Sequence, residues 1–111
     1  FPNTERRRNS APSSGAASMP SRVSFELGRL VSTPGALDAF ARTGEEPWGY
    51  LARHATGDWG DLDEDDQRLN DLAARHDERI LSAYQLTDGT RIYVITEADR
   101  SSTTLLLPEE Y

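Results

Sequence analysis

The stretch Ile80-Leu81-Ser82-Ala83-Tyr84-Gln85-Leu86-Thr87-Asp88-Gly89-Thr90-Arg91-Ile92-Tyr93-Val94-Ile95-Thr96 decides the fold of this 111-residue chain. Two runs rich in β-branched and aromatic residues flank Asp88-Gly89, and Asp-Gly between such runs is a strong short-range hairpin signal. A two-residue turn there predicts that Tyr84 faces Tyr93, Ala83 faces Val94 and Leu81 faces Thr96. One face of the ribbon then carries Leu81, Ala83, Ile92 and Val94, and the other Ile80, Tyr84, Tyr93 and Ile95. Both faces are mostly apolar, which predicts either a sheet covered on both sides or one with a face left for interaction.

Downstream, the turn Ala98-Asp99-Arg100-Ser101 leads into a third strand, Thr103 to Leu107, closed by Pro108. Upstream, the periodicity changes from two to 3.6. A short extended piece, Val23 to Leu30, precedes Thr33-Pro34, an N-cap followed by proline at the first helical position. Leu37, Phe40 and Ala41 mark the inward face of a first helix, which Gly44 stops. Pro47 opens a second helix with Trp48, Leu51, Ala52 and Ala55 inward, and Gly57 ends it. A compact turn, Gly57-Asp58-Trp59-Gly60, precedes a third helix with Leu69, Leu72, Ala73 and His76 inward. The acids Asp61, Asp63, Glu64, Asp65 and Asp66 gather at its start, where negative charge suits the helix dipole. The expected fold is therefore α+β: three short N-terminal helices packed on a C-terminal three-stranded antiparallel β-meander.

Composition divides the chain. Residues 1–22 are rich in Ser, Pro, Gly and Arg, show no apolar period, and read as a disordered tail or a non-native extension. They carry Arg6, Arg7, Arg8 and Arg22 against Glu5, a net of +3. Residues 23–111 read as a single domain with eight Arg against eighteen acids, a net of −10, which makes −7 for the whole chain. A body this acidic repels phosphate backbones, so direct nucleic-acid binding is not expected. The absence of cysteine excludes disulfides and thiolate chemistry and fits a cytoplasmic location. No apolar run approaches the roughly 20 residues of a membrane helix. A protein partner is expected, with self-association as an alternative.

Chemistry-bearing motifs are scarce. The chain has no phosphate-binding glycine loop, no HExxH and no GxSxG. If Asp61 opened an EF-hand loop, Asp66 would stand at the glycine position and Leu72 at the glutamate position, so a calcium site fails on both counts. No cofactor and no metal are expected. His54 and His76 lie near helix ends, where a packed or dipole-facing role is the common one. The densest polar stretch is Thr96-Glu97-Ala98-Asp99-Arg100-Ser101-Ser102-Thr103-Thr104. Its plain reading is turn chemistry. Its catalytic reading is a phosphodiester site with Glu97 as general base, His54 as general acid and Arg100 as phosphate clamp. Trp59 beside Asp58 reads either as a plug in the helix–sheet seam or as an anchor for a partner. Tyr84, Tyr93 and Thr103 are the ribbon positions expected to contribute contacts to such a partner.

Three segments carry a resemblance: Thr33-Pro34-Gly35-Ala36-Leu37; Arg53-His54-Ala55-Thr56-Gly57-Asp58-Trp59-Gly60; and Leu81-Ser82-Ala83-Tyr84 running into Ile95–Thr104. They resemble a family of short bacterial proteins common on plasmids and other mobile elements. Its members are sometimes labelled type I restriction–modification subunits, and the likeness covers roughly residues 26–111. A methyltransferase subunit needs a cofactor-binding α/β domain, for which this chain has neither the length nor a glycine-rich strand–turn–helix. The resemblance implies a cytoplasmic accessory protein encoded among mobile genes, and it transfers no site residues. The leading expectation is thus a non-enzymatic protein-binding module, acting as a decoy for a basic nucleic-acid-binding surface in defence or anti-defence. The alternative is a small nuclease or phosphodiesterase built on Glu97, Arg100 and His54.

Overall fold

The computed structural model describes residues 25–111. The reading of residues 1–22 as a tail lies outside them. In chain order the elements are β1 (Arg29–Ser32), α1 (Pro34–Thr43), α2 (Trp48–Ala55), α3 (Glu64–Arg75), β2 (Ile80–Gln85), β3 (Arg91–Thr96) and β4 (Ser102–Leu106), followed by a 3₁₀ turn, Pro108–Glu110. The class is α+β, with the three helices on one face of the sheet.

The sheet differs from the expected meander. It has four strands in the order β1-β4-β3-β2, because residues 29–32 pair parallel to β4, Arg29 with Ser102 through Ser32 with Leu105. The extended piece expected over Val23 to Leu30 overlaps this strand only at Arg29 and Leu30, with residues 23–24 outside the described ones, and the strand's partner is too distant in sequence for any local signal to name.

The hairpin register is also one residue away from expectation. Tyr84 pairs with Ile92, Ala83 with Tyr93 and Leu81 with Ile95. The loop has three residues, not two. The Gly89 N–H donates to the Leu86 carbonyl, the Leu86 N–H donates to the Thr90 carbonyl, and Gly89 takes φ +89°. That is a type I turn followed by a left-handed bulge residue. A one-residue slip exchanges facing partners. The helix-side face therefore carries Ile80, Ser82 and Tyr84 with Ile92, Val94 and Thr96, then Thr103 and Leu105, all buried.

Helix ends follow the sequence closely. The Thr33 hydroxyl accepts from the Ala36 N–H, Pro34 starts α1, and Gly44 at φ +72° ends it. Asp63 caps α3 by accepting from the Asp66 N–H at 2.8 Å. Helix faces follow it in part: Phe40, Leu51 and Ala73 are buried as expected, and other expected positions are not. In α1 the buried side chains are Ala36, Ala39 and Phe40, while Leu37 is 60% exposed. In α2 they are Leu51 and His54, while Trp48 is 61% exposed. In α3 they are Asn70 and Ala73, while Leu69 and Leu72 are 61% and 53% exposed and His76 lies outside. The sheet supplies the reason. It presents polar groups to the helices, and His54 and Asn70 turn inward to satisfy them.

The main core joins Ala36, Ala39, Phe40 and Leu51 to Tyr84, Leu86, Ile92, Val94 and Leu105. A smaller cluster joins Trp59, Ala73 and Ile80. The outer edge of β2 is closed within the chain. Asp61 N–H donates to the Ala83 carbonyl at 2.7 Å, and Ala83 N–H donates to the Trp59 carbonyl at 3.2 Å. The Asn70 amide exchanges hydrogen bonds with both backbone groups of Leu81. An edge strand so covered is no longer a template for pairing.

Candidate functional site

Three strands and one helix converge on one buried polar chain. His54, from the last turn of α2, reaches the sheet between Ser82 on β2 and Thr96 on β3. Its Nδ1 lies 2.5 Å from Ser82 Oγ and its Nε2 lies 2.8 Å from Thr96 Oγ1. Thr96 Oγ1 lies 2.6 Å from Thr103 Oγ1, which donates to the Leu27 carbonyl at 2.7 Å. Donor counting fixes the direction. Thr103 has one proton and gives it to Leu27, so Thr96 donates to Thr103. His54 then donates through Nε2–H to Thr96, and Ser82 donates to Nδ1. Every hydroxyl and ring proton is used once. All four side chains have 0% exposure.

The imidazole is neutral. Burial, and then the charge of Arg100, push its pKa down to about 3. In the unfolded chain it titrates near 6.5. Between these values the unfolded chain holds a proton that the folded one excludes, so acid favours unfolding. His54 thus contributes stability that is complete above pH 6.5 and lost as pH falls toward 3. We expect the folding constant to fall by up to about tenfold per pH unit below 6.5 from this group alone. Urea midpoints measured from pH 7 to 4.5 check this; a pH dependence identical in wild type and His54→Gln would contradict it.

Arg100 belongs to the same region and is equally committed. It sits at φ +60° in the β3–β4 turn, and its side chain is 12% exposed. Nη1 donates to the carbonyls of Glu78, Glu97 and Ala98, and Nη2 to those of Ala73 and Ala74. The guanidinium thereby caps the C-terminus of α3, favourable for a cation at the negative end of a helix dipole. Phe25 lies over it, with its ring centre 5.5 Å from the guanidinium carbon, and also stacks on Trp59 and meets His54 edge-on.

The structure does not bring Glu97, Arg100 and His54 to one open point. His54 lies beneath the helix-side face. Glu97 follows Thr96 onto the other face, where it pairs with Arg79 at 3.6 Å. There it joins Ile95, Thr104, Leu106, Glu110 and Tyr111 around a concavity of about 400 Å³. Of the Thr96–Thr104 stretch, only Glu97 and Thr104 line that hollow. Arg100 spends its donors on backbone carbonyls.

The expected partner contacts are redistributed too. Trp59 is 3% exposed and its Nε1 donates to Asp71 at 2.9 Å, so it plugs the seam and is not presented as an anchor. Asp58 holds Arg53 at 2.6 Å and caps the Gly60 N–H. Tyr84 is 1% exposed and its hydroxyl donates to the Asp58 carbonyl; burial raises its pKa. Thr103 lies inside the buried chain. Of the ribbon positions Tyr84, Tyr93 and Thr103, Tyr93 is the half-open one, edge-on to Tyr111 on the outer face. The sequence reading missed Ser82 and Thr96 as partners of His54. A lone serine amid apolar strand neighbours was the available signal.

Among the described residues no group of three or more His, Asp or Glu is arranged to hold a metal ion. No helix among them is long and apolar enough to cross a membrane. Comparison of the chain with protein-family models, curated proteins and solved structures gives no match in any of the three.

Proposed function

We propose that residues 25–111 form a non-enzymatic protein-binding module, an accessory protein whose partner carries a basic surface, in the setting of mobile-element defence or anti-defence. The observation that carries this reading is the exposure of Leu37, Trp48, Leu69 and Leu72, each more than half open on an amphipathic helix. Large apolar side chains grouped on a surface gain by being covered. Leu37 and Trp48 join Leu30, Val31 and Pro47 around one apolar groove of about 230 Å³, and Leu69 of α3 lines a second with Leu62 and Leu81. The His54 chain is buried and fully paired, and on the outer face Glu97 is held by Arg79. The net charge of −10 supports a basic partner.

Capture from a bacterial lysate tests the reading, with wild type beside Trp48→Glu and the double variant Leu69→Glu/Leu72→Glu. These positions are exposed, so the fold tolerates the change. The expected result is a saturable partner whose recovery drops at least about tenfold in one variant or the other, as hot-spot residues demand. Equal recovery by all three proteins would overturn it.

A further inference from the structure

Resting on that reading, we propose that the groove between α3 and the β2 edge receives a basic amphipathic helix of the partner. The groove is lined by Leu62, Asp66, Leu69, Asn70 and Leu81, with a volume of about 280 Å³. Its origin is the turn of α3 about its axis. Asn70 must face the sheet to satisfy the Leu81 backbone groups at 2.5 and 3.3 Å, and that rotates Leu69 and Leu72 away from the core. A leucine stripe at i and i+3 is thus built on the helix and left unused by the fold.

The chemistry of the rim selects the occupant's charge. Asp66 lines the groove, Asp61 and Glu64 stand just before it in sequence, and the three carboxylates have no hydrogen-bond or ion-pair partner among the described residues. Nearby Asp65 is already held by Arg68. An apolar floor with unpaired carboxylates at its edge complements leucines flanked by arginine or lysine. The backbone selects the occupant's conformation. An extended peptide would need open strand hydrogen bonds, but the β2 edge is already satisfied at Leu81 and Ala83 by Asn70, Trp59 and Asp61. Side chains alone remain to be read, and an α-helix presents them without needing backbone partners. The groove beside Trp48 has no charged lining residue, so nothing there chooses an occupant.

The test uses two labelled synthetic peptides of about 18 residues, long enough for a helix to form on contact. Both contain the same leucines and arginines. In one, leucine recurs at i, i+3, i+4 and i+7; in the other, the order is scrambled. Fluorescence anisotropy is read at about 150 mM salt, where non-specific attraction is screened. The amphipathic peptide is expected to bind at least about tenfold tighter than the scrambled one. Leu69→Glu/Leu72→Glu is expected to erase that difference, and Asp61→Asn/Glu64→Gln/Asp66→Asn to weaken both peptides and flatten their salt dependence. Equal binding of the two peptides, or a preference that survives Leu69→Glu/Leu72→Glu, overturns the proposal. Lysate capture lost in Trp48→Glu but retained in Leu69→Glu/Leu72→Glu would leave the binding module standing and remove only this groove.

Discussion

His54→Leu lowers the folding free energy by about 3 kcal/mol, roughly a hundredfold in the folding constant, although leucine is similar in volume and more apolar. The loss comes from what it strands. Ser82 keeps a proton with no ring nitrogen to accept it, and Thr96 loses the Nε2–H donor, both at 0% exposure. A buried hydroxyl left unpaired costs about 1–3 kcal/mol, whereas removing both partners of a hydrogen bond is nearly neutral. The triple variant His54→Leu/Ser82→Ala/Thr96→Val should therefore recover most of the stability that the single variant loses. Urea unfolding of the two proteins at pH 7 decides the matter. A single-variant loss below about 1 kcal/mol, or a triple variant weaker than the single, would show that the chain of hydroxyls is not a unit.

Gly60→Ala produces an effect of comparable size from the backbone. Gly60 sits at φ +76°, and a Cβ there would stand 2.0 Å from the Ala83 carbonyl oxygen and 2.7 Å from the Tyr84 ring. Neither neighbour can yield. The carbonyl is fixed by the Asp61 N–H, and the ring is buried with its hydroxyl on Asp58. The bridge between Gly60 and Ala83 must open, losing two hydrogen bonds worth about 1 kcal/mol each, in addition to about 1 kcal/mol for left-handed backbone in a residue with a side chain. We expect a total near 3 kcal/mol and rapid hydrogen exchange at Ala83 and Asp61. Gly89→Ala is the control. It has φ +89° but nothing within 4 Å, so only the backbone contribution remains, near 1 kcal/mol. Equal losses at the two glycines would contradict the steric account.

Much of the local structure was legible because it is written locally. Thr33-Pro34, Gly44, Asp63 and Asp88-Gly89 each perform the capping or turning that their types favour. What escaped reading was long-range. Nothing near residues 29–32 names residues 102–105 as a partner. The loop length at Asp88-Gly89 is a choice between two turn types that accept the same dipeptide, and the choice moved every facing pair by one. Helix faces were legible only in part, for a third reason. Hydrophobicity points Leu51, Trp48, Leu69 and Leu72 inward, and only Leu51 of these is buried; Ser82, Thr96 and the Leu81 backbone require polar partners, so His54 and Asn70 take the inward places. Of the candidate site, His54 and Thr103 were visible as candidates for chemistry or partner contact, but their burial in one hydrogen-bonded chain was not. Glu97 and Thr96 are neighbours in sequence, and strand alternation sends them to opposite sides.

The parallel pairing of β1 with β4 also sets an order of assembly. Its partners, Arg29 and Ser102, are 73 positions apart, so the ring closed by that contact encloses nearly every described element. The hairpin closes a loop of only a few residues. With loop entropy growing as (3/2)RT ln n, docking β1 demands about 2–3 kcal/mol more chain entropy than folding the hairpin. In kinetic terms β1 is the last strand to arrive and the first to leave, a zip fastener whose slider rests at Arg29.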